Sequence, residues 1–159
     1  MFVPPKYILA PYVATPIEVV ERMVRIAGVQ ASDTAYDLGC GDGRVLINAA
    51  ATCGAKGVGV DIEPYWIEQS RLNASLAGVS ELVRFECGDA LAVDLAPATV
   101  VFLYLVHWST QLVASHLLNH VRPGTRIVSH SFPIEAFPTA TDSFVDAGGA
   151  SRTVFLWKT

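Results

Sequence analysis

Cysteine is scarce in this 159-residue chain, and the three present are wrongly spaced for a covalent or zinc-bound framework. Cys40, Cys53 and Cys87 are odd in number and contain no C-x-x-C pair, which excludes a disulfide scaffold and a zinc knuckle and leads us to expect a reducing, cytoplasmic setting. Charge is sparse too: 16% of residues, eleven basic against fifteen acidic, for a formal net charge of −4. No Lys/Arg cluster has the density of a phosphate-neutralising patch, so nucleic acid is not an expected partner. Long apolar runs are missing. The longest, Val100 to Val106, is far short of the roughly 20 residues a helix needs to cross a bilayer, and no basic-then-apolar segment opens the chain. Neither a membrane span nor export is therefore expected. Linkers, low-complexity tracts and internal repeats are also absent. The chain reads as one domain, 1–159, in which residues 1–14 form an N-terminal segment that could act as a partial lid.

What the sequence does have is apolar residues, 52% of the total, arranged as short runs alternating with helical stretches. Thr34 to Leu38, Lys56 to Asp61, Leu82 to Cys87, Ala98 to Leu105 and Thr125 to Phe132 lack strict polar alternation, as expected of parallel strands covered on both faces. Thr15-Pro16-Ile17-Glu18 has the form of a capping box with proline at the first helical position, followed by a stripe of Ile17, Val20, Val24 and Ala27 that Gly28 ends. Arg44 to Thr52 reads as a helix pressed on the sheet. Pro64 opens another that Gly78 closes, and Val113, Leu117 and Val121 mark a fourth that Pro123-Gly124 terminates. Two short strands, Ser143 to Ala147 and Thr153 to Lys158, flank Gly148-Gly149 and predict a closing antiparallel pair. The expected architecture is α/β: a Rossmann-like, mostly parallel central sheet with helices on both faces and a C-terminal antiparallel strand pair.

The most informative stretch is Tyr36-Asp37-Leu38-Gly39-Cys40-Gly41-Asp42-Gly43-Arg44, a strand running through a glycine turn into a helix. In open α/β sheets such a turn lies beside the crevice where ligands bind. Glycine turns alone fit dinucleotides, nucleotides or plain tight turns. The carboxylates discriminate. A pyrophosphate against that helix start would meet Asp37 and Asp42, an unfavourable pairing, whereas a ligand bearing an ammonium and a sulfonium gains from them, which points to S-adenosylmethionine. Asp61, about 20 residues on, could accept from both ribose hydroxyls. Asp89, in Cys87-Gly88-Asp89-Ala90, could accept from an adenine amine. Each also has a plain structural alternative as a turn or helix-capping aspartate.

These residues resemble the class I, seven-strand methyltransferases. More narrowly, Pro11-Tyr12-Val13-Ala14-Thr15-Pro16, the glycine stretch, and Arg122-Pro123-Gly124-Thr125-Arg126-Ile127-Val128-Ser129-His130 look like the small archaeal broad-specificity protein lysine methyltransferases and their mitochondrial relatives. The resemblance implies that Asp37, Gly39 and Gly41 hold the methionine end of S-adenosylmethionine, Asp61 the ribose and Asp89 the adenine, with further contacts from Tyr12 and Thr15; the adjacent Cys40, Ile62 and Ala90 are assigned to the same site. Ala14 stands where those enzymes usually have proline, and Asp61 where they usually have glutamate.

The acceptor is expected to be a lysine amine on proteins, the alternative being a small-molecule N- or O-methyl acceptor. The fourth strand ends in Leu103-Tyr104-Leu105-Val106-His107-Trp108, without the Asp/Asn-Pro-Pro-aromatic motif of enzymes that methylate adenine or glutamine amides. Tyr104 and Trp108 could wall an alkylamine, and His130, at the end of the fifth strand, could contact substrate or take a proton. Tyr104 and His130 are thus the candidate catalytic residues. His116 and His120 share a helix face, but no acid or cysteine completes a metal site, and none is expected.

Overall fold

A computed structural model describes residues 14–104, 107–130, 134 and 138–159, with side chains throughout except at 107–111. Tyr12, the N-terminal segment before Ala14, and the last residues expected of the fourth and fifth strands therefore lie outside the described residues, as does the side chain of Trp108.

Seven strands form one sheet: β1 (Thr34–Leu38), β2 (Lys56–Asp61), β3 (Val83–Cys87), β4 (Val100–Leu103), β5 (Arg126–His130), β6 (Ala140–Val145) and β7 (Ser151–Lys158), in the spatial order β3-β2-β1-β4-β5-β7-β6. The first five are mutually parallel, while β7 runs antiparallel to both β5 and β6. The carboxyl ends of β1 to β5 consequently share one edge, and chain order reverses between β1 and β4, where such sheets open a ligand crevice.

Helices α1 (Ile17–Ala27), α2 (Arg44–Cys53) and α3 (Pro64–Leu76) accompany one face, and α4 (His107–His120) the other. The first core joins Val19, Val20 and Met23 of α1 with Leu46 of α2, Phe85, Phe102 and Val128. The second joins Leu38, Val60, Val101 and Ile127 with Val113 and Leu117 of α4 and Trp157. Full burial of each such side chain contributes about 1.5–3 kcal/mol, which is how strands this short hold their register.

Two local expectations change. Pro16 occupies the N-cap of α1 rather than its first turn, and no side chain caps that helix, so the expected capping box does not form; proline's fixed φ still prepares the entry. Ile17, expected on the buried stripe, is 54% exposed, and Val19 and Met23 take the core-facing positions instead. Gly28 ends α1 at φ 62°, as expected. Arg126 then secures the lower end of α1: its guanidinium donates to the Ala27 carbonyl and pairs with Asp33.

Candidate active site

The glycine turn joins β1 to α2 and is fastened from three sides. Gly39 and Cys40 donate backbone N–H bonds to the Val60 carbonyl at 2.8 and 3.0 Å, and Gly41 donates to an Asp61 carboxylate oxygen at 2.9 Å. From α3, the fully buried Ser70 hydroxyl donates to the Gly41 carbonyl at 2.6 Å, and the Asn73 amide to the Asp42 carbonyl at 3.0 Å. Gly39, Gly41 and Gly43 have φ of 83°, 54° and 83°, which side chains with a Cβ adopt only under strain. Below the turn, the Phe85 ring fills the space a Cβ on Gly59 would need, 2.6 Å away.

Asp37 lies in this frame on β1, in register with Gly59 and Phe102. It is buried, and no donor among the described residues reaches its carboxylate. Burial, then the charges of Asp61 and Asp42, raise its pKa to about 7. A desolvated carboxyl group crowded by two other carboxylates fits a ligand that brings a cation and hydrogen-bond donors.

Asp61 ends β2 with its carboxylate aimed by backbone: one oxygen accepts from Gly41, the other from Glu63 at 3.0 Å. Each oxygen keeps a lone pair for a further donor, so its position suits a diol. Asp89 follows β3 and begins the short 3₁₀ turn Ala90–Ala92 by accepting from the Leu91 N–H at 2.8 Å. It therefore acts as a helix-capping aspartate, with its second oxygen unpartnered among the described residues. Ile62 follows β2 and is half-buried, and the buried Ala90 opens the 3₁₀ turn after β3. The buried Cys40 thiol is pushed far up by burial and then by Asp37 and Asp61, so it stays a neutral packing group.

Asp42 differs from its expected part. Its carboxylate grips the guanidinium of Arg44, with a closest approach of 2.6 Å, and accepts from the Arg44 N–H at 3.2 Å. Its charge is thus paired within the turn, while still adding to the field that raises the Asp37 pKa. Arg44 also donates to the Thr15 carbonyl at 2.9 Å, which fixes the buried Thr15 beside the turn. Sequence reasoning missed Ser70, Asn73 and this reach of Arg44. The signal for Ser70 was a polar residue within the buried Ile67-Ser70-Ala74 stripe of α3.

Further along the edge, Tyr104 follows β4 and His130 ends β5, with ring centroids 4.3 Å apart and planes tilted by 44°. Both nitrogens of His130 are buried without a partner among the described residues. Burial, and then the charge of Arg152, lower its pKa to about 4. His116 and His120 stack at 4.1 Å on α4, and among the described residues no three metal-binding side chains gather.

A family model described as the ANTKMT methyltransferase domain matches residues 37–141. The chain is 38% identical to a protein-lysine N-methyltransferase of Saccharolobus islandicus over 92% of each chain. It is 30% identical to the adenine nucleotide translocase lysine N-methyltransferase of Mus musculus, over 82% of this chain and 56% of the mouse protein. The crystal structure of an RNA methyltransferase from Salinibacter ruber in complex with S-adenosyl-L-homocysteine superposes with a TM-score of 0.85 at 44% identity, covering 92% of this chain and 93% of that one. With the glycine turn, the acidic strand ends and the strand order already established, these likenesses show that the chain belongs to the ANTKMT methyltransferase domain family.

Proposed function

We propose that the protein transfers a methyl group from S-adenosylmethionine to the ε-amine of lysine side chains in proteins. The observation that carries the donor assignment is Asp37: a desolvated carboxyl group beside two further carboxylates, at the carboxyl edge of the sheet and next to a glycine turn, is matched by a ligand carrying an ammonium and a sulfonium. When bound, that ligand supplies an electrophilic methyl group on a positively charged sulfur. In this reading Asp37, with the backbone of Gly39, Cys40 and Gly41, receives the amino-acid end. Asp61 takes the ribose hydroxyls, and Ile62, Asp89 and Ala90 frame the adenine. Thr15 closes the near side; Tyr12, expected to add a further contact, is outside the described residues.

The acceptor assignment follows the family and its lysine-modifying relatives. A lysine amine of ordinary pKa, about 10.4, must lose its proton before attack, and desolvation next to a sulfonium favours that loss. Alignment and exclusion of water then do most of the remaining work. Three cysteines, free in the structure, support a cytoplasmic setting.

RNA is a second reading, favoured by the name given to the Salinibacter ruber structure. The net charge of −4 and the lack of a basic cluster weigh against it. Incubation of the protein with methyl-labelled S-adenosylmethionine and cell extract, followed by separation of protein, RNA and metabolites, tests the choice. Label in protein, released as methylated lysine on hydrolysis, is expected; label confined to RNA or metabolites overturns the lysine assignment.

A further inference from the structure

The donor assignment occupies the ends of β3, β2 and β1, and leaves the ends of β4 and β5 without a part in the reaction. Tyr104 and His130 stand there. Adjacent strands are about 4.8 Å apart, so His130, two strands from Asp37, lies on the order of 10 Å along the edge from it. That places His130 on the same carboxyl edge as the proposed donor site, at the strands the donor assignment leaves open.

His130 is wholly buried, with neither ring nitrogen hydrogen-bonded among the described residues. An apolar ring would fill the same volume without leaving polar atoms unpaired. A partner supplied during the reaction accounts for the imidazole. We propose that His130 accepts a hydrogen bond from the lysine amine once the acceptor side chain has displaced the covering Tyr104 ring, and so turns the nitrogen lone pair toward the methyl group. This inference rests on the lysine reading above.

Proton abstraction is a poorer role for the same group. With a pKa of about 4 against about 10.4 for lysine, transfer of the ammonium proton to His130 is uphill by more than six decades. A neutral imidazole, by contrast, is a good acceptor of an N–H bond and adds no positive charge near a cationic donor. Tyr104 is half-buried with its ring against His130, and in this proposal that ring face suits the cationic methylated product.

The test compares wild-type protein with His130→Phe and His130→Gln on a lysine-bearing protein shown to be methylated by the wild type. His130→Phe keeps a ring against Tyr104 and removes both nitrogens. Its kcat is expected to fall at least tenfold while donor affinity and thermal stability stay at or above wild-type values, with partial recovery in His130→Gln, whose amide oxygen can accept the bond. Nitrogen NMR of the wild-type imidazole, with S-adenosylhomocysteine bound, should show one ring nitrogen shift on addition of a lysine peptide. A His130→Phe variant as active as wild type, or an imidazole signal indifferent to the peptide, overturns this inference alone. A wild type that leaves lysines unmodified overturns the lysine reading and this inference with it.

Discussion

Replacing Asp37 with asparagine separates its charge from its shape, and the burial of this residue sets the size of the effect. In the free protein the Asp37 carboxyl titrates at about 7 instead of 3.8, so about half is ionised at pH 7 and about 3% at pH 5.5. A donor that needs the anion must first drive off the proton. Its affinity is therefore expected to fall about 15-fold from pH 7 to pH 5.5, a window in which the donor's own amine, with a pKa of about 7.7 or above, stays protonated. Isothermal calorimetry with S-adenosylmethionine across that range reads this directly. Asp37→Asn should bind more weakly at pH 7 and lose most of the pH dependence. Stability responds in the opposite sense. The folded pKa lies above the unfolded one, so the contribution of Asp37 is fully present below about pH 4 and is lost as the pH rises through about 7. The total is about 4 kcal/mol, of which about 2 kcal/mol falls between pH 5.5 and pH 8. Denaturant unfolding of the donor-free protein should accordingly show Asp37→Asn gaining about 2 kcal/mol on wild type over that interval. Equal pH dependence in the two proteins, in binding or in unfolding, would show that the Asp37 carboxyl does not titrate in this range.

Asp61→Ala removes an acceptor of two backbone bonds as well as the proposed ribose partner; with charged hydrogen bonds at about 1.5–3 kcal/mol each, donor affinity should drop at least tenfold by calorimetry, and unchanged affinity would remove Asp61 from the site. Gly59→Ala drives a methyl into the Phe85 ring and should cost about 1–3 kcal/mol in denaturant unfolding, most of it recovered when Phe85→Leu is added. Arg126→Ala leaves the largely buried Asp33 charge without its guanidinium and frees the Ala27 carbonyl, for an expected loss of about 3 kcal/mol in thermal unfolding. The double variant with Asp33→Asn should lose less than the single one.

The strands and the glycine turn were legible because their signals are local. Thr34–Leu38 and Lys56–Asp61 fall where their apolar runs end, and Gly28 and Pro64 stop and start helices by backbone restrictions that need no tertiary partner. The closing strand pair flanks Gly148-Gly149 as expected, although β6 begins at Ala140, earlier than its pattern suggested. Legibility failed where a side chain had two possible partners. Thr15 reads as a cap, yet Pro16 occupies that position and the Thr15 carbonyl goes to Arg44. Asp42 reads as a ligand-facing acid, yet a guanidinium two residues away claims it. Asp89 looks equally suited to a turn or to adenine, and its bond to Leu91 settles one oxygen only. Spacing along a chain lists the candidates for such contacts, whereas packing of α3 and α1 against the turn selects among them. The seclusion of His130 had the same origin: its place at a strand end was readable, but the Tyr104 ring that covers it was not.

In the proposed site, the acidic ends of successive parallel strands each hold one part of a cationic methyl donor. A crystal structure of the protein with S-adenosylhomocysteine measures this most directly. Both ribose hydroxyls are expected within hydrogen-bond distance of Asp61, and the amino-acid ammonium beside Asp37 and the Gly39–Gly41 backbone. A ligand seated away from the carboxyl edge, or one whose ribose and ammonium are held by other residues while both carboxylates stay unengaged, would contradict it.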